Sequence, residues 1–299
     1  MTRVLPALCL HSGNCLDLFR DVPDHSVDLI VCDPPYGTTF ATWDKLLPFA
    51  ELWPEIERVL KPAGVCLMFA SQPFTTDVIA SNRKFYRNLW YWKKDRPTGH
   101  FLSNRQPMRI IEEVLVFGRT PRSATYNAQT TKRDRPYKHY YRRSAGSIYK
   151  PSPWNRLPNG RDHRVYDTVQ PHHLLEFARD PVQLIPTQKP VALLRYLIET
   201  YTNAGGVVLD PTMGSGSTGV ACLETGREFI GFELLEKHFA IASDRLRSAQ
   251  AALRPAPVLD ELEEELRRVV KRKPAPTAEE LDDELWRTIR RRSGRGAVA

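Results

Sequence analysis

Short apolar runs alternate with amphipathic segments along most of this chain. The near-continuous apolar runs at 26–32 (SVDLIVC) and 65–71 (VCLMFAS) are typical of strands that are buried on both faces. Apolar residues at helical spacing occur at 44–60, between these two runs, and again at 189–206, much later in the chain. The further strand candidates are 8–14, 88–94, 109–118, 207–210 and 228–233. Strands that alternate with helices predict an α/β fold with a doubly wound, mostly parallel sheet.

Composition narrows the class of protein. The 5 cysteines form no CxxC pair and the 8 histidines form no set with metal-ligand spacing, so we expect neither disulfides nor a metal site. No apolar run reaches membrane-spanning length, and the N-terminal segment is too short for a signal peptide. We therefore expect a cytoplasmic protein without a membrane partner.

The positive charge is concentrated in one segment. Residues 119–185 hold 13 Lys and Arg against 5 Asp and Glu, in a chain whose net charge is +8. Aromatic residues are interleaved with these cations, and leucine, isoleucine and valine are scarce. This pattern is typical of a nucleic-acid-binding segment, although a solvated irregular insertion would also explain it. The candidate DNA-binding residues are Lys132, Arg133, Arg135, Arg142 and Arg143.

Two predicted strands end in the same dipeptide. Asp33-Pro34 follows the strand at 26–32, and Asp210-Pro211 follows the strand at 207–210. Ligands of doubly wound sheets bind outside the carboxyl ends of the strands. We therefore expect Asp33 and Asp210 to lie on one functional edge.

A glycine-rich loop follows Asp210. Gly214, Gly216 and Gly219 satisfy the G-x-G-x-x-G pattern, and Glu233 ends the next strand, where it can accept hydrogen bonds from ribose hydroxyls. Asp210 would repel a pyrophosphate but would attract an ammonium group. The loop therefore favours S-adenosylmethionine over NAD as the cofactor, and an NAD-dependent oxidoreductase is the alternative from another class.

The DPPY loop (residues 33–36) has the groups that a planar amine needs. The Asp33 carboxylate and the Pro34 carbonyl can accept the two N–H groups of an exocyclic amine and draw its nitrogen towards tetrahedral geometry. Pro34 and Pro35 fix the backbone, so these acceptors are aimed in advance. Tyr36 offers a ring on which a base can stack after it has been turned out of its duplex.

Four segments together, DPPY, PTQKP, VLDPTMGSGSTG and FIGFELLEKHFAIASDRL, resemble the amino-methylating DNA methyltransferases in the β-type motif order. The resemblance covers roughly residues 8 to 248, apart from the interior of the basic segment. It implies a site-specific enzyme that transfers a methyl group from S-adenosylmethionine to the N6 amine of a flipped-out adenine in double-stranded DNA. N4-cytosine methylation is the alternative within the family, whose cytosine members more often carry Ser in place of Asp33. RNA methylation also stays open, whereas a DNA-binding protein without catalysis would need a damaged DPPY loop.

The resemblance also assigns residues by their place in the motifs. It implies that Asp33, Pro34, Pro35 and Tyr36 are catalytic. It implies cofactor binding by Asn14, Asp33, Thr187, Gln188, Lys189, Asp210, Pro211, Gly214, Ser215, Gly216, Ser217, Thr218 and Glu233. Two positions depart from the family, since Asn14 stands where Asp is frequent and Thr212 stands where Phe is common.

The motif order also predicts the domain organisation. We expect a catalytic half at 1–118, a target-recognition insertion at 119–185, a cofactor-binding half at 186–250 and a charged helical tail at 251–299. Double-stranded DNA is the expected partner. A homodimer and a cognate restriction endonuclease are further partners that the sequence leaves open.

Overall fold

The computed structural model describes residues 7–38, 44–119, 124–140 and 163–253. The chain divides into two units, Met1–Leu253 and Arg254–Ala299, and every described residue belongs to the first. Arg142, Arg143 and nearly all of the predicted tail therefore lie outside the described residues.

The described residues form ten strands and six α-helices. The strands are β1 (Leu8–Ser12), β2 (Val27–Cys32), β3 (Leu60–Ala70), β4 (Tyr86–Thr98), β5 (Arg109–Gly118), β6 (Thr131–Tyr140), β7 (His163–Val169), β8 (Leu174–Glu176), β9 (Val207–Asp210) and β10 (Glu228–Glu233). The helices are α1 (Cys15–Leu18), α2 (Phe49–Val59), α3 (Phe74–Ser81), α4 (Val191–Tyr201), α5 (Ser217–Thr225) and α6 (Glu236–Ala252). None of these helices is long and apolar enough to cross a membrane.

Eight of these strands form one sheet in the order β1-β10-β9-β2-β3-β5-β4-β8. Only β5 runs against its neighbours β3 and β4, and every other pair in this sheet is parallel. The predicted doubly wound, mostly parallel α/β fold is confirmed.

Helices cover both faces of the sheet, which explains why β2 is apolar at nearly every position. Leu29 and Val31 belong to a core cluster that includes residues of α4, α5 and α6. Ile30 and Cys32 belong to a second cluster with residues of α2 and α3. Because neighbouring side chains of a strand point to opposite faces, a strand buried on both sides needs apolar residues throughout.

The helix predicted at 44–60 begins later, at Phe49. Asp44 is buried outside the helix, where its carboxylate accepts hydrogen bonds from the backbone N–H groups of Gly37 at 2.8 Å and Thr38 at 2.9 Å. Pro48 then caps the helix. The segment before α2 thus supports the chain that leaves the DPPY loop.

The basic segment has more regular structure than its composition indicates. β6 and β7 form an antiparallel pair, and β8 joins the main sheet beside β4. Asn127 fastens the start of the segment to α4, since its backbone N–H donates to the Thr200 carbonyl at 2.7 Å. Its side-chain amide also donates to the Glu199 and Thr202 carbonyls. The predicted domain boundaries stay predictions.

Candidate active site

The two Asp-Pro dipeptides meet because β2 and β9 are neighbours in the sheet. Leu29 pairs with Val208 and Ile30 with Leu209, in parallel register, so both strands end at the same edge. A hydrogen bond links the two loops that follow, from the Asp33 backbone N–H to the Thr212 hydroxyl at 3.1 Å. Thr212, one of the two residues that depart from the family pattern, therefore joins the DPPY loop to the glycine-rich loop.

A cavity of about 780 Å³ opens at this edge. Its volume falls within the range of roughly 300–1,000 Å³ that is usual for small-molecule sites. All of the predicted catalytic and cofactor-binding residues line it except Gly216. The lining residues among them are Asn14, Asp33, Pro34, Pro35, Tyr36, Thr187, Gln188, Lys189, Asp210, Pro211, Gly214, Ser215, Ser217, Thr218 and Glu233.

The DPPY loop is held rigidly by its own side chains. The Tyr36 hydroxyl donates to Asp33 Oδ1 at 3.0 Å, and the Tyr36 ring stacks on Phe74 with 5.0 Å between centroids and 24° between planes. Burial, followed by the charges of Asp33 and Glu112, raises the pKa of Tyr36 well above its usual value, so the phenol keeps its proton. The tyrosine therefore orients the carboxylate as well as offering an aromatic surface.

Lys189 lies against the DPPY loop. Its ammonium group is 2.5 Å from Asp33 Oδ2 and 3.6 Å from Glu112 Oε2, and it lies 5.0 Å from the centroid of the Phe69 ring. The sequence motif places Lys189 with the cofactor-binding residues, whereas the structure pairs it with the predicted catalytic acid. α4 begins two residues later, and this fixes where the side chain can reach.

Two further charged residues complete this network, and sequence reasoning missed both. The Lys94 ammonium donates to Glu112 Oε1 at 3.0 Å. Glu112 Oε2 is buried and makes no hydrogen bond within the described part of the chain, although it is within ion-pair distance of Lys189. An acid inside the apolar strand RIIEEVLVFG is the signal that could have indicated Glu112.

Burial and charge compete in setting the protonation of this network. Burial raises the pKa of the Asp33 carboxyl, and the nearby Lys189 ammonium opposes that rise in part. Burial would also raise the pKa of Glu112, but Lys189 and Lys94 outweigh it and lower that pKa. For Lys189, burial lowers the pKa, yet the two carboxylates outweigh it and the net shift is upward. Lys189 is therefore a partly buried cation that favours the ionised form of Asp33.

At the glycine-rich loop, Asp210 is buried beneath the loop that follows it. Its carboxylate accepts hydrogen bonds from the Thr218 hydroxyl at 2.5 Å and from the Thr212 backbone N–H at 3.0 Å. Burial outweighs these bonds and raises the pKa of Asp210 to about 7, with smaller contributions from Asp33 and Glu233. Asp210 lies in this wall of the cavity, and a cation bound beside it would lower its pKa and favour the ionised carboxylate.

Glu233 and the glycines determine the shape of the loop. Glu233 accepts hydrogen bonds from the Gly214 backbone N–H at 2.9 Å and from the Leu235 backbone N–H at 2.8 Å. Gly216 has φ +76°, and a β-carbon there would lie 3.2 Å from the Ala242 side chain of α6. Gly216 therefore serves the turn and its packing on α6, which explains its absence from the cavity wall.

The remaining predicted cofactor residues support the site from both sides. The Asn14 side chain caps α1 by accepting from the Leu16 backbone N–H at 3.1 Å. The Gln188 amide donates to Asp180 at 3.0 Å, and its oxygen accepts from the Ser215 hydroxyl at 3.1 Å. Gln188 thereby fastens the segment before α4 to the glycine-rich loop.

The cavity wall suits S-adenosylmethionine better than a dinucleotide. Its glycine-rich side presents the carboxylates of Asp210 and Glu233, which favour a cation and disfavour a pyrophosphate. Gly214 lines the cavity in the loop between β9 and α5, where its φ of +54° disfavours a side chain and a β-carbon would lie 2.9 Å from Ile185. The charge and shape of the wall therefore fit a cationic adenosyl ligand.

The three predicted DNA-binding residues that the structure describes, Lys132, Arg133 and Arg135, do not line the cavity. Lys132 and Arg135 are exposed on β6. Arg133 is half-buried, donates to the Thr168 carbonyl on β7 at 3.0 Å and lies 5.7 Å from the Tyr137 ring centroid. The structure thus presents two of these cations to solvent and uses the third to hold the β6–β7 pair.

The family model that matches this chain is described as a DNA methylase of the N6/N4 methyltransferase type, and the match spans residues 27–244. The Type II methyltransferase M.HpaI of Haemophilus parainfluenzae is 28% identical over 249 residues, which cover 79% of this chain and 73% of the relative. The DNA adenine methyltransferase YhdJ of Escherichia coli is 28% identical over 280 residues, which cover 87% of each chain.

Among solved structures, the M1.HpyAVI–SAM complex is similar to this chain with a TM-score of 0.51 and 24% sequence identity. The similarity covers 80% of this chain and 100% of that one. At this level of identity the comparison shows a shared fold.

Proposed function

The chain belongs to the DNA methylase family that methylates exocyclic amines, and we propose that its target is the N6 amine of an adenine in double-stranded DNA. The observation that carries the proposal is that Asp33 and Pro34 line the same cavity as Asp210 and Glu233. An amine held by the first pair would face a cofactor held by the second. Membership of the family favours this activity over the oxidoreductase alternative.

S-adenosylmethionine is the methyl donor of such an enzyme and supplies an electrophilic methyl group on a sulfonium centre. The residues that would hold it are those around the glycine-rich loop. Asp210 and Gly214 would receive the amino-acid end, Glu233 would accept from the ribose hydroxyls, and Asn14 would lie beside the adenine ring.

The acceptors for the target amine belong to the DPPY loop. Asp33 and the Pro34 carbonyl would take one N–H each, which removes lone-pair delocalisation into the ring and leaves the nitrogen nucleophilic. Tyr36 and Lys189 already contact the two carboxylate oxygens, so Asp33 is oriented before any base arrives. Such advance orientation is the basis of electrostatic catalysis.

Two features favour adenine over cytosine. An aspartate stands at position 33, where the family's cytosine members more often have serine, and YhdJ is named an adenine methyltransferase. N4-cytosine methylation is the second candidate because the same acceptors fit any aromatic amine. A base within a duplex cannot reach these acceptors, so the proposal includes extrusion of the target from the stack. A homodimer and a cognate endonuclease stay predictions.

The test is to map modified bases by direct sequencing of DNA from cells that express the protein, and to repeat it with Asp33→Ala. We expect N6-methyladenine at one recognition sequence, and no modification with Asp33→Ala, although that variant keeps its affinity for S-adenosylmethionine within a modest factor. Asp244→Ala, which removes an acid that is 79% exposed, is the matched control and should methylate normally. N4-methylcytosine in the map would contradict the adenine assignment, and full activity of Asp33→Ala would contradict the mechanism.

A further inference from the structure

The β4–β5 loop, defined here as residues 95–110 so that it includes the exposed ends of both strands, exposes an unusual set of apolar side chains. Every residue from 95 to 110 is exposed, and Phe101 is 99% exposed. Leu102, Met108 and Ile110 are exposed in the same loop. Single exposed apolar residues are ordinary, but a cluster of them marks an interaction surface.

The charge of this loop indicates the kind of partner. Arg96, Arg105 and Arg109 lie in it, and no acidic residue occurs from 96 to 111. Within the part of the chain that the structure describes, Arg105 and Arg109 make no ion pair. A contact between two copies of this loop would bring like charges together, whereas a polyanion would neutralise them. The loop therefore fits nucleic acid better than a second copy of the chain.

The topology places the loop at the rim of the cavity. β4 is antiparallel to β5, and β5 is antiparallel to β3, so β4 ends at the same edge of the sheet as β2 and β3. Thr98, the last residue of β4, lines the cavity and pairs with Arg109 across the base of the loop. The Lys94 ammonium, which also binds Glu112, donates to the Thr98 hydroxyl at 3.1 Å. Phe101 thus projects from a segment whose base belongs to the wall that holds the DPPY loop.

We propose that Phe101 inserts into the base stack of the DNA duplex and fills the space left by the extruded target base, while the arginines of the loop bind the flanking phosphates. This inference rests on the proposed function. A base that leaves a duplex costs stacking energy, and an apolar side chain in the gap recovers part of it. The cationic loop would bring the ring to the duplex at the point where the target base enters the cavity.

The experiment compares Phe101→Ala with Phe101→Trp on two duplexes that contain the methylation sequence established by the mapping above. One duplex is fully paired, and in the other the target base lies opposite an abasic site, so that extrusion costs little. We expect Phe101→Ala to lower kcat/KM on the paired duplex by about tenfold or more and to leave it nearly unchanged on the abasic duplex. Phe101→Trp should have nearly the same kcat/KM as the protein without substitutions on both duplexes. The affinity for S-adenosylmethionine should not change in either variant.

Three results would overturn the inference. The first is Phe101→Ala methylating the paired duplex as well as the unmodified protein does. The second is an equal loss on both duplexes, or a loss in Phe101→Trp as large as that in Phe101→Ala. The third is a change in oligomeric state of Phe101→Ala in sedimentation velocity, which would assign the loop to self-association. Failure of the unmodified protein to methylate either duplex would instead count against the proposed function.

Discussion

Lys189 is the counter-ion of Asp33, the partly buried carboxylate that we propose accepts a hydrogen bond from the target amine. Burial raises the pKa of Asp33 and the ammonium of Lys189 lowers it, so removing the ammonium leaves the upward shift unopposed. The ionised carboxylate of Asp33 is the stronger hydrogen-bond acceptor, whereas a protonated carboxyl would direct an O–H group at the amine. We therefore expect Lys189→Met to move the acid limb of the pH–rate profile to higher pH, so that activity is lost at the acidic end of the profile and regained as the pH rises.

The measurement for Lys189 is the single-turnover methylation rate across pH. Lys189→Arg keeps a cation in this place and should shift the profile less. A pH profile of Lys189→Met that coincides with that of the unmodified protein would show that Lys189 does not act through Asp33.

Asp210 should make cofactor binding depend on pH. Its pKa of about 7 in the ligand-free protein means that a cationic ligand must first displace a proton at lower pH. We expect the affinity for S-adenosylmethionine to rise between about pH 6 and pH 8, with proton release on binding in the lower part of that window. Asp210→Asn should bind more weakly and without this dependence, as measured by calorimetry in buffers of different ionisation enthalpy. Equal pH dependence in the variant would remove Asp210 from the cation site.

At the scale of elements, one buried hydrogen bond links β4 of the predicted catalytic half to α4 of the predicted cofactor half. The Trp90 indole N–H donates to the Tyr201 hydroxyl at 2.7 Å, and both side chains are buried. Trp90→Phe leaves that hydroxyl buried without its donor, which should cost about 1–3 kcal/mol of the free energy of unfolding.

Urea denaturation of Trp90→Phe, Tyr201→Phe and the double variant would measure the strength of this link. Since the second change removes the unsatisfied partner, the double variant should lose less stability than the sum of the single variants. Additive losses would show that the two side chains contribute independently.

The elements that the sequence predicts best are those whose own burial pattern reveals them. β2, β9 and β10 carry apolar runs because both faces of each are covered, and Asp33, Asp210 and the glycine-rich loop follow from where those strands end. β6 and β7 escaped prediction because they are rich in polar residues and show no clean alternation, and β8 escaped it because it has only 3 residues. The role of Lys189 could not be predicted either, since its distance from Asp33 depends on how α4 packs against β2.

At the scale of the whole molecule, the exposed cations of β6 should set the salt dependence of DNA binding. Lys132 and Arg135 are exposed, and each phosphate contact that is lost should reduce the slope of log affinity against log salt by about one unit. Alanine variants of both residues, titrated with cognate and scrambled duplexes at several salt concentrations, would measure this. Arg20→Ala, which removes a cation that is 77% exposed and lies outside the basic segment, is the control. Unchanged slopes in the β6 variants would show that this strand does not contact phosphates.

The strand order also sets the time at which a newly made molecule can first act. β2 and the DPPY loop leave the ribosome early, together with the neighbouring strand β3. The other neighbour of β2 is β9, and the partner of β1 at the edge of the sheet is β10, and both of these strands are made late. Asp210 and Glu233 do not yet exist when Asp33 is synthesised, because domains are made from the N-terminus onwards. Nascent chains that end before Val207 therefore carry the DPPY loop without the wall that we propose holds the cofactor. We therefore expect an incomplete nascent chain to be unable to methylate DNA.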